Sequence, residues 1–282
     1  MNWKVALSTS ICLSQPLLEV LPRLKNAGFK LIEATALTSH LDYKDLDSVH
    51  KIRDEMDRLG MQTVSMHAPY SESIDLTMLR ESDRKLSVEE LLAAADALRV
   101  LGGTKLVVHA GSVNEDANKQ KKERLKQSLH SLTEINNYCQ KTGVELVIEN
   151  MLGHLVGGRE DELQWFLARL PRQNLGFCLD TGHAFLSGKL LKYVKIFAPY
   201  LALVHAHDNK GTYDDHLPPG EGKINWSQFL GALADAKFNG EIVIEVLSGK
   251  EDNSVLERTW QSICFLKDTC ADKLCSINLE GG

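Results

Sequence analysis

The sequence predicts a single (β/α)8 barrel over residues 1–282, an α/β fold with its active site at the carboxyl ends of the strands. Eight short apolar stretches alternate with segments of helical periodicity, and 282 residues is a typical size for eight strand–helix units. No glycine-rich phosphate loop follows the first apolar stretch, which counts against a doubly wound sheet. These observations favour a closed barrel.

The eight apolar stretches predict strands that are buried on both faces, because their apolar residues are nearly continuous and do not alternate with polar ones. In chain order they are WKVALS, KLIEAT, TVSMHA, KLVVHA, ELVIEN, LGFCLD, LALVHA and EIVIEVL. Helical segments lie between them, and Ser87 and Glu90 have the spacing of a capping box. Glycines shortly before strands predict helix ends at Gly28, Gly60, Gly103, Gly143 and Gly240.

Composition narrows the class of protein. No apolar run approaches the eighteen residues of a membrane span, and the N-terminus lacks the pattern of a signal peptide, so we expect a cytoplasmic protein without a membrane partner. Six scattered cysteines without a CxxC pair indicate free thiols. The net charge of −6 counts mildly against binding of nucleic acid, although it does not exclude a local basic groove. A homo-oligomer is compatible with the sequence.

Ionisable side chains lie at or near the carboxyl end of seven of the eight predicted strands. In a barrel these ends meet at one rim, so residues far apart in sequence become neighbours. Burying several carboxylates and imidazoles together is costly without cations, and this predicts a bound divalent metal; an ion pair with Lys or Arg is the alternative for Glu149 and Glu245. The seven residues are Glu33, His67, His109, Glu149, Asp180, His205 and Glu245.

Two loops add candidate ligands to this rim. CLDTGHAF places Asp180 and His183 three residues apart after a strand, so both can reach the rim, although Asp180 could instead cap a helix. HAHDNKGTYDDHLPPGEG contributes Asp214 and His216 beyond the strand residue His205. The second loop therefore belongs to the predicted metal site.

The remaining polar residues of interest have simpler interpretations. Asp208 and Asp215 are interpreted as solvated turn residues, because aspartate is common in turns. Tyr70, just past His67, is placed to stack on or hydrogen-bond a substrate. Four histidines outside the strands are expected at the surface: His40, His50, His130 and His154.

Several motifs, in this order, resemble the xylose isomerase-like TIM-barrel superfamily, which includes sugar-phosphate isomerases, epimerases and the endonuclease IV family. They are HAPY, VVHAGS, VIEN, GFCLDTGHAF, HAHDNKG, DDHLPPGEG and IVIEVL, and they extend over nearly the whole chain. The resemblance implies a metal-dependent barrel enzyme.

The favoured interpretation is a sugar or sugar-phosphate isomerase or epimerase with one divalent ion, such as Mn, Zn, Mg or Co. By resemblance, the ion is held by Glu149, Asp180, His205 and Glu245. The two glutamates would remove and return a proton beside a carbonyl that the metal polarises. The residues expected to contact the sugar are His183, Tyr70 and Glu33.

The alternative is an endonuclease IV-like hydrolase of abasic DNA with up to three zinc ions. By resemblance, its ligands are His67, His109, Glu149, Asp180, His183, His205, Asp214, His216 and Glu245. The loops after strands one and two lack, respectively, that family's glycine-rich segment and an arginine, whereas Leu155 and Gly211 depart from the ketose 3-epimerase pattern. A non-catalytic metal- or sugar-binding barrel is the third hypothesis.

Overall fold

The computed structural model describes residues 2–111, 120–247, 253–271 and 275–278. Eight parallel strands form a closed barrel in which each strand pairs with the next and β8 pairs with β1, which also pairs with β2. This confirms the predicted (β/α)8 class. The strands are β1 Asn2–Ser8, β2 Leu31–Thr35, β3 Gln62–His67, β4 Lys105–His109, β5 Glu145–Glu149, β6 Leu175–Asp180, β7 Leu201–Ala206 and β8 Glu241–Ile244.

Helices surround the barrel and pack their apolar faces on its outer surface. Among the residues described, none of the helices combines the length and the apolar character that crossing a membrane requires. The helices are α1 Leu17–Asn26, α2 Leu46–Leu59, α3 Glu81–Val100, α4 Lys121–Thr142, α5 Glu160–Leu167, α6 Thr181–Leu186, α7 Leu190–Phe197, α8 Trp226–Asp235 and α9 Asn253–Ala271.

The barrel interior is filled by one layer of apolar side chains from the strands. Its buried members are Ala6, Leu31, Val107, Val147, Cys178, Leu203 and Val243. Successive side chains of a strand point to opposite faces, so a residue two positions after a member of this layer also points into the barrel. The next inward-facing residue of each strand therefore packs directly on the carboxyl side of this apolar layer.

Three predicted helix signals are wrong in detail, and one of them is Gly240, because the left-handed residue after α8 is Lys237. Helix α3 begins at Glu81, so Ser87 lies within it, where its hydroxyl donates to the carbonyl of Asp83 and is not a cap. The helix begins before the predicted cap at Ser87, because Arg84 is buried and forms ion pairs with Glu81 and with α4. After α3 the left-handed residue is Gly102, not its neighbour Gly103.

The end of the described chain adds a feature that the sequence did not predict. A ninth strand, β9 Ser276–Asn278, pairs in parallel with the start of β1. The expectation of six free thiols is wrong, because Cys270 and Cys275 form a disulfide with their Cα atoms 5.3 Å apart. These two cysteines lie at the end of α9 and just before β9, and the other four form no disulfide among the described residues.

The loop from β7 to α8 is held by a single buried carboxylate, that of Asp208. It accepts hydrogen bonds from the backbone N–H groups of Gly220 and Ile224 at 3.0 and 3.1 Å and from the Trp226 indole at 2.8 Å. Asp208 is fully buried, so its interpretation as a solvated turn residue is wrong. The loop needs this internal acceptor because its backbone donors face the protein and not water.

We expect Asp208→Asn to destabilise the protein by about 1–3 kcal/mol, because donors that face a buried carboxylate lose a charged acceptor. Urea unfolding of the protein in the presence of a chelator measures this. The matched control is Asp215→Asn in the same loop, where the carboxylate accepts one bond from the partly exposed Lys210 backbone. If Asp208→Asn lowered the free energy of unfolding no more than Asp215→Asn does, the anchoring role of Asp208 would be contradicted.

Candidate metal centre

Carboxylates and imidazoles converge at the carboxyl end of the barrel because they continue the inward-facing register of the strands. Glu149 and Asp180 are two residues beyond Val147 and Cys178 of the apolar layer. All nine ligands that the resemblance implies fall into three groups whose ligand atoms lie within 4.8 Å of one another. The structure thus brings together every predicted ligand.

The first group joins β3, β4 and β5. The Nε2 atoms of His67 and His109 lie 3.4 and 3.1 Å from Oε2 of Glu149, which is buried and makes no hydrogen bond among the described residues. The Nδ1 atom of His67 lies 2.9 Å from the Ala68 carbonyl, an arrangement that leaves Nε2 to face the glutamate. Two nitrogens and one unpaired oxygen suit a transition-metal ion.

The second group joins β5, β6, β7 and the end of β8. Nδ1 of His205 lies 2.9 Å from Oε1 of Glu149 and 3.3 Å from Oε2 of Glu245, and Asp180 completes the group. Glu149 presents one oxygen to each of the first two groups. It is therefore the residue that could bridge two ions.

The third group joins α6, directly after β6, to the loop after β7. Oδ2 of Asp214 lies 3.0 Å from Nε2 of His183 and 3.1 Å from Nε2 of His216. Asp180 also accepts a hydrogen bond from the His183 backbone N–H at 2.7 Å, so it caps α6 while it belongs to the second group. The helix-capping role of Asp180 is therefore compatible with its predicted role as a metal ligand.

Glu33 lies beneath His205. The sequence predicted contact with the sugar for this residue and did not predict this position. Its carboxylate is fully buried, accepts a hydrogen bond from Ser65 Oγ at 2.7 Å and lies 3.1 Å from Nε2 of His205. A metal-binding histidine commonly donates its second ring N–H to such a carboxylate, which fixes the orientation of the ring. Glu33 is thus placed to hold His205, and its contact with a substrate stays a prediction.

Sequence reasoning missed His207, which is fully buried and lies 2.9 Å from an oxygen of Asp180. The signal was present: in HAH, His207 follows His205 by two residues and so points into the same side of the barrel. One surface assignment is also wrong, because His40 is buried with its Nδ1 2.6 Å from the Gln15 carbonyl.

The electrostatics of the centre favour cations. Its five carboxylates are those of Glu33, Glu149, Asp180, Asp214 and Glu245, and among the described residues none of them pairs with a lysine or arginine. The Lys or Arg alternative is therefore not supported by the described part of the chain. Their partners are six imidazoles, which supply neutral nitrogen ligands when deprotonated.

The histidines respond to this excess of negative charge. Burial alone would lower the pKa of His67, but the carboxylates of Glu149, Glu245 and Glu33 together outweigh burial and raise that pKa to about 9. The pKa of His183 rises to about 10 and that of His216 to about 9, again against burial, because Asp180 and Asp214 lie beside them. The field that attracts these protons also attracts divalent cations, which must displace them to bind.

Tyr70 stands at the outer edge of the first group. It is about half exposed, and its ring centroid lies 4.4 Å from that of His109 and 5.3 Å from that of His67. The structure therefore places Tyr70 beside the candidate ligands with one face open to solvent.

Comparisons with known proteins agree with this geometry. The model of the xylose isomerase-like TIM barrel family matches residues 21–267, so the chain belongs to this family. An uncharacterized protein of Methanocaldococcus jannaschii is 28% identical over 251 residues, which are 87% of this chain and 84% of the relative. A Mycobacterium leprae protein named probable endonuclease 4 is 29% identical over 183 residues, 60% of this chain and 68% of the relative.

One solved structure is similar over nearly the whole barrel. It is described as a D-tagatose 3-epimerase-like protein, with a TM-score of 0.85, 26% identity, and coverage of 95% of this chain and 97% of its own. The relatives thus include proteins named for two different reactions, and the family by itself does not choose between them.

We expect Glu33→Gln to weaken metal binding by about 10- to 100-fold, because the His205 ring loses the carboxylate that fixes its orientation. Competition of the metal-free protein with a chromophoric chelator for Zn²⁺ measures this. The control is Glu72→Gln, the same substitution at a residue that is exposed in a loop. Unchanged zinc affinity together with weaker substrate binding would restore the sequence expectation that Glu33 contacts the substrate.

Proposed function

We propose that this chain is a metal-dependent hydrolase of phosphoesters that uses more than one divalent ion, which is the second of the three sequence hypotheses. The observation that carries the proposal is the assembly of three ligand groups, of which Glu149 joins the first two. A mononuclear isomerase needs only the group of Glu149, Asp180, His205 and Glu245. That reaction leaves His67, His109, Asp214 and His216 without a metal-binding role.

Charge supports the same choice. One divalent ion offsets two of the five carboxylate charges and two ions offset four, whereas three ions carry enough charge to offset all five. Phosphoester hydrolysis uses several cations well, because charge builds up on the attacked phosphoryl group and the leaving oxygen. The donor set of imidazoles and carboxylates suits zinc or manganese better than magnesium.

The residues of the chain have separable tasks in this reaction. The three ligand groups would hold the ions, which when bound supply Lewis-acid polarisation and charge neutralisation. Glu149, almost fully buried, would keep the first two ion positions adjacent. Three large side chains on the loops after β2, β3 and β7 are exposed at the same end of the barrel: Leu37, Tyr70 and Tyr213.

These exposed side chains suit a substrate with flat or apolar surfaces beside its phosphate. Tyr213 is 74% exposed and directly precedes the candidate ligand Asp214, and Tyr70 packs on His109. Aromatic faces stack on nucleobases without regard to sequence. Abasic DNA is therefore the substrate to test first, supported by the relative named probable endonuclease 4. The net charge of −6 gives no long-range attraction to a phosphate backbone, so affinity for DNA would have to come from local contacts and the bound ions.

A specific observation keeps sugar epimerisation as the second candidate function. Glu149 and Glu245 both approach one nitrogen of His205, at 2.9 and 3.3 Å, as expected if they flank a substrate bound there. One glutamate would take a proton from the carbon beside a carbonyl, and the other would return it. The similarity to the D-tagatose 3-epimerase-like protein supports this alternative.

We expect protein purified without chelator to contain more than one equivalent of divalent metal per chain, and His109→Asn and Asp214→Asn each to lower phosphodiesterase activity by about 100-fold or more. Elemental analysis and cleavage of an abasic-site duplex at low salt measure these effects. His130→Asn is the matched control, because His130 is exposed on α4.

The two candidate functions give opposite results in these variants. An epimerase would hold about one metal ion, exchange a carbon-bound substrate proton with solvent in D₂O, and keep that exchange in His109→Asn. Glu149→Gln would abolish either reaction. Protein with one metal ion and proton exchange on a sugar would reject the hydrolase proposal.

A further inference from the structure

His207 occupies a position between the second and third ligand groups. Its Nε2 lies 2.9 and 3.0 Å from the two oxygens of Asp180, and its ring stacks on that of His216 with centroids 3.8 Å apart and planes 7° from parallel. It is fully buried, and Nδ1 makes no hydrogen bond among the described residues. One side chain thus contacts both groups.

The stacking decides what His207 can do. Its ligand atoms fall close enough to those of His216 and Glu245 for a further metal position. An imidazole binds a metal in its ring plane at about 2.0–2.1 Å. Two parallel rings 3.8 Å apart cannot both direct in-plane lone pairs at one ion. His207 and His216 are therefore not ligands of the same ion.

Gly182, on the first turn of α6, supplies the space for the His207 ring. A Cβ atom at Gly182 would lie 2.1 Å from Cε1 and 2.6 Å from Nδ1 of His207. No side chain can be added there unless the imidazole moves. The backbone is fixed on both sides of this contact, because the His207 N–H donates to Thr181 Oγ1 at 3.0 Å.

We propose that His207 is a positioning residue that sets the metal affinity of the second and third ligand groups together. Its Nε2–H holds the Asp180 carboxylate, and its ring face fixes the orientation of His216. Asp180 keeps lone pairs for an ion, because a carboxylate has about four acceptor positions and His207 uses one N–H. The inference rests on the metal centre of the proposed function, but it does not depend on which reaction that centre performs.

The first experiment measures Zn²⁺ binding by the metal-free protein, by chelator competition and by elemental analysis. We expect His207→Ala to lower zinc affinity by about 10- to 100-fold and to reduce the metal per chain, since both Asp180 and His216 lose their support. His207→Gln keeps an N–H donor for Asp180 but no ring for His216, so it should recover part of the loss. His50→Ala, on the exposed face of α2, is the control.

The second experiment tests the contact itself. Gly182→Ala should lower zinc affinity by a similar factor, because the added methyl group displaces the His207 ring. Combined with His207→Ala, the same substitution should cause little further loss, since the clash is gone. Circular dichroism of the metal-free variants verifies that each is folded.

The outcomes separate this inference from the proposed function. If wild-type protein binds no divalent metal, the proposed function and the inference both fail. If wild type binds metal and the His207 variants bind it equally well, the inference alone is wrong. Additive losses from Gly182→Ala and His207→Ala would also overturn it, because they would show that the two residues act independently.

Discussion

The excess of buried negative charge at the carboxyl end of the barrel is the constraint on which the rest of the structure depends. Five carboxylates lie there among six imidazoles, without a lysine or arginine partner in the described part of the chain. Burial of unpaired carboxylates is expensive, so the arrangement is stable only with protons on the imidazoles or with metal ions. Raised histidine pKa values and a capacity to bind divalent cations have this common cause.

The barrel holds these groups in place with residues that no ion touches. Glu33 fixes His205 from below, and Asn150 joins the ends of β5 and β6 through hydrogen bonds to the Asp180 backbone at 2.9 and 3.1 Å. Asp208 shapes the loop that carries Asp214. Because these interactions already orient the candidate ligands in the fold, the ligands do not have to be ordered when a substrate reacts.

Sequence reasoning succeeded where a residue's role follows from its position in a strand. Glu149 and His109 were identifiable because each ends an apolar strand. It failed where a role depends on distant partners. Asp208 has the sequence context of a turn residue, but its indole and backbone donors come from 12 to 18 residues further along the chain. The pairing of Cys270 with Cys275 depends likewise on the tertiary structure, because β9 pairs with β1 at the other end of the chain.

The sequence by itself determined the barrel and the rim on which the ionisable residues meet, because the ends of apolar runs are properties of local sequence, and the resemblance of its motifs supplied the nine candidate ligands. Only the tertiary structure decided how these residues divide into groups, that Glu149 joins two of them, and that Glu33 and His207 hold ligands in place. These facts depend on which strands are neighbours in the closed barrel and on how two loops fold over it, and both are set by contacts between residues far apart in the chain.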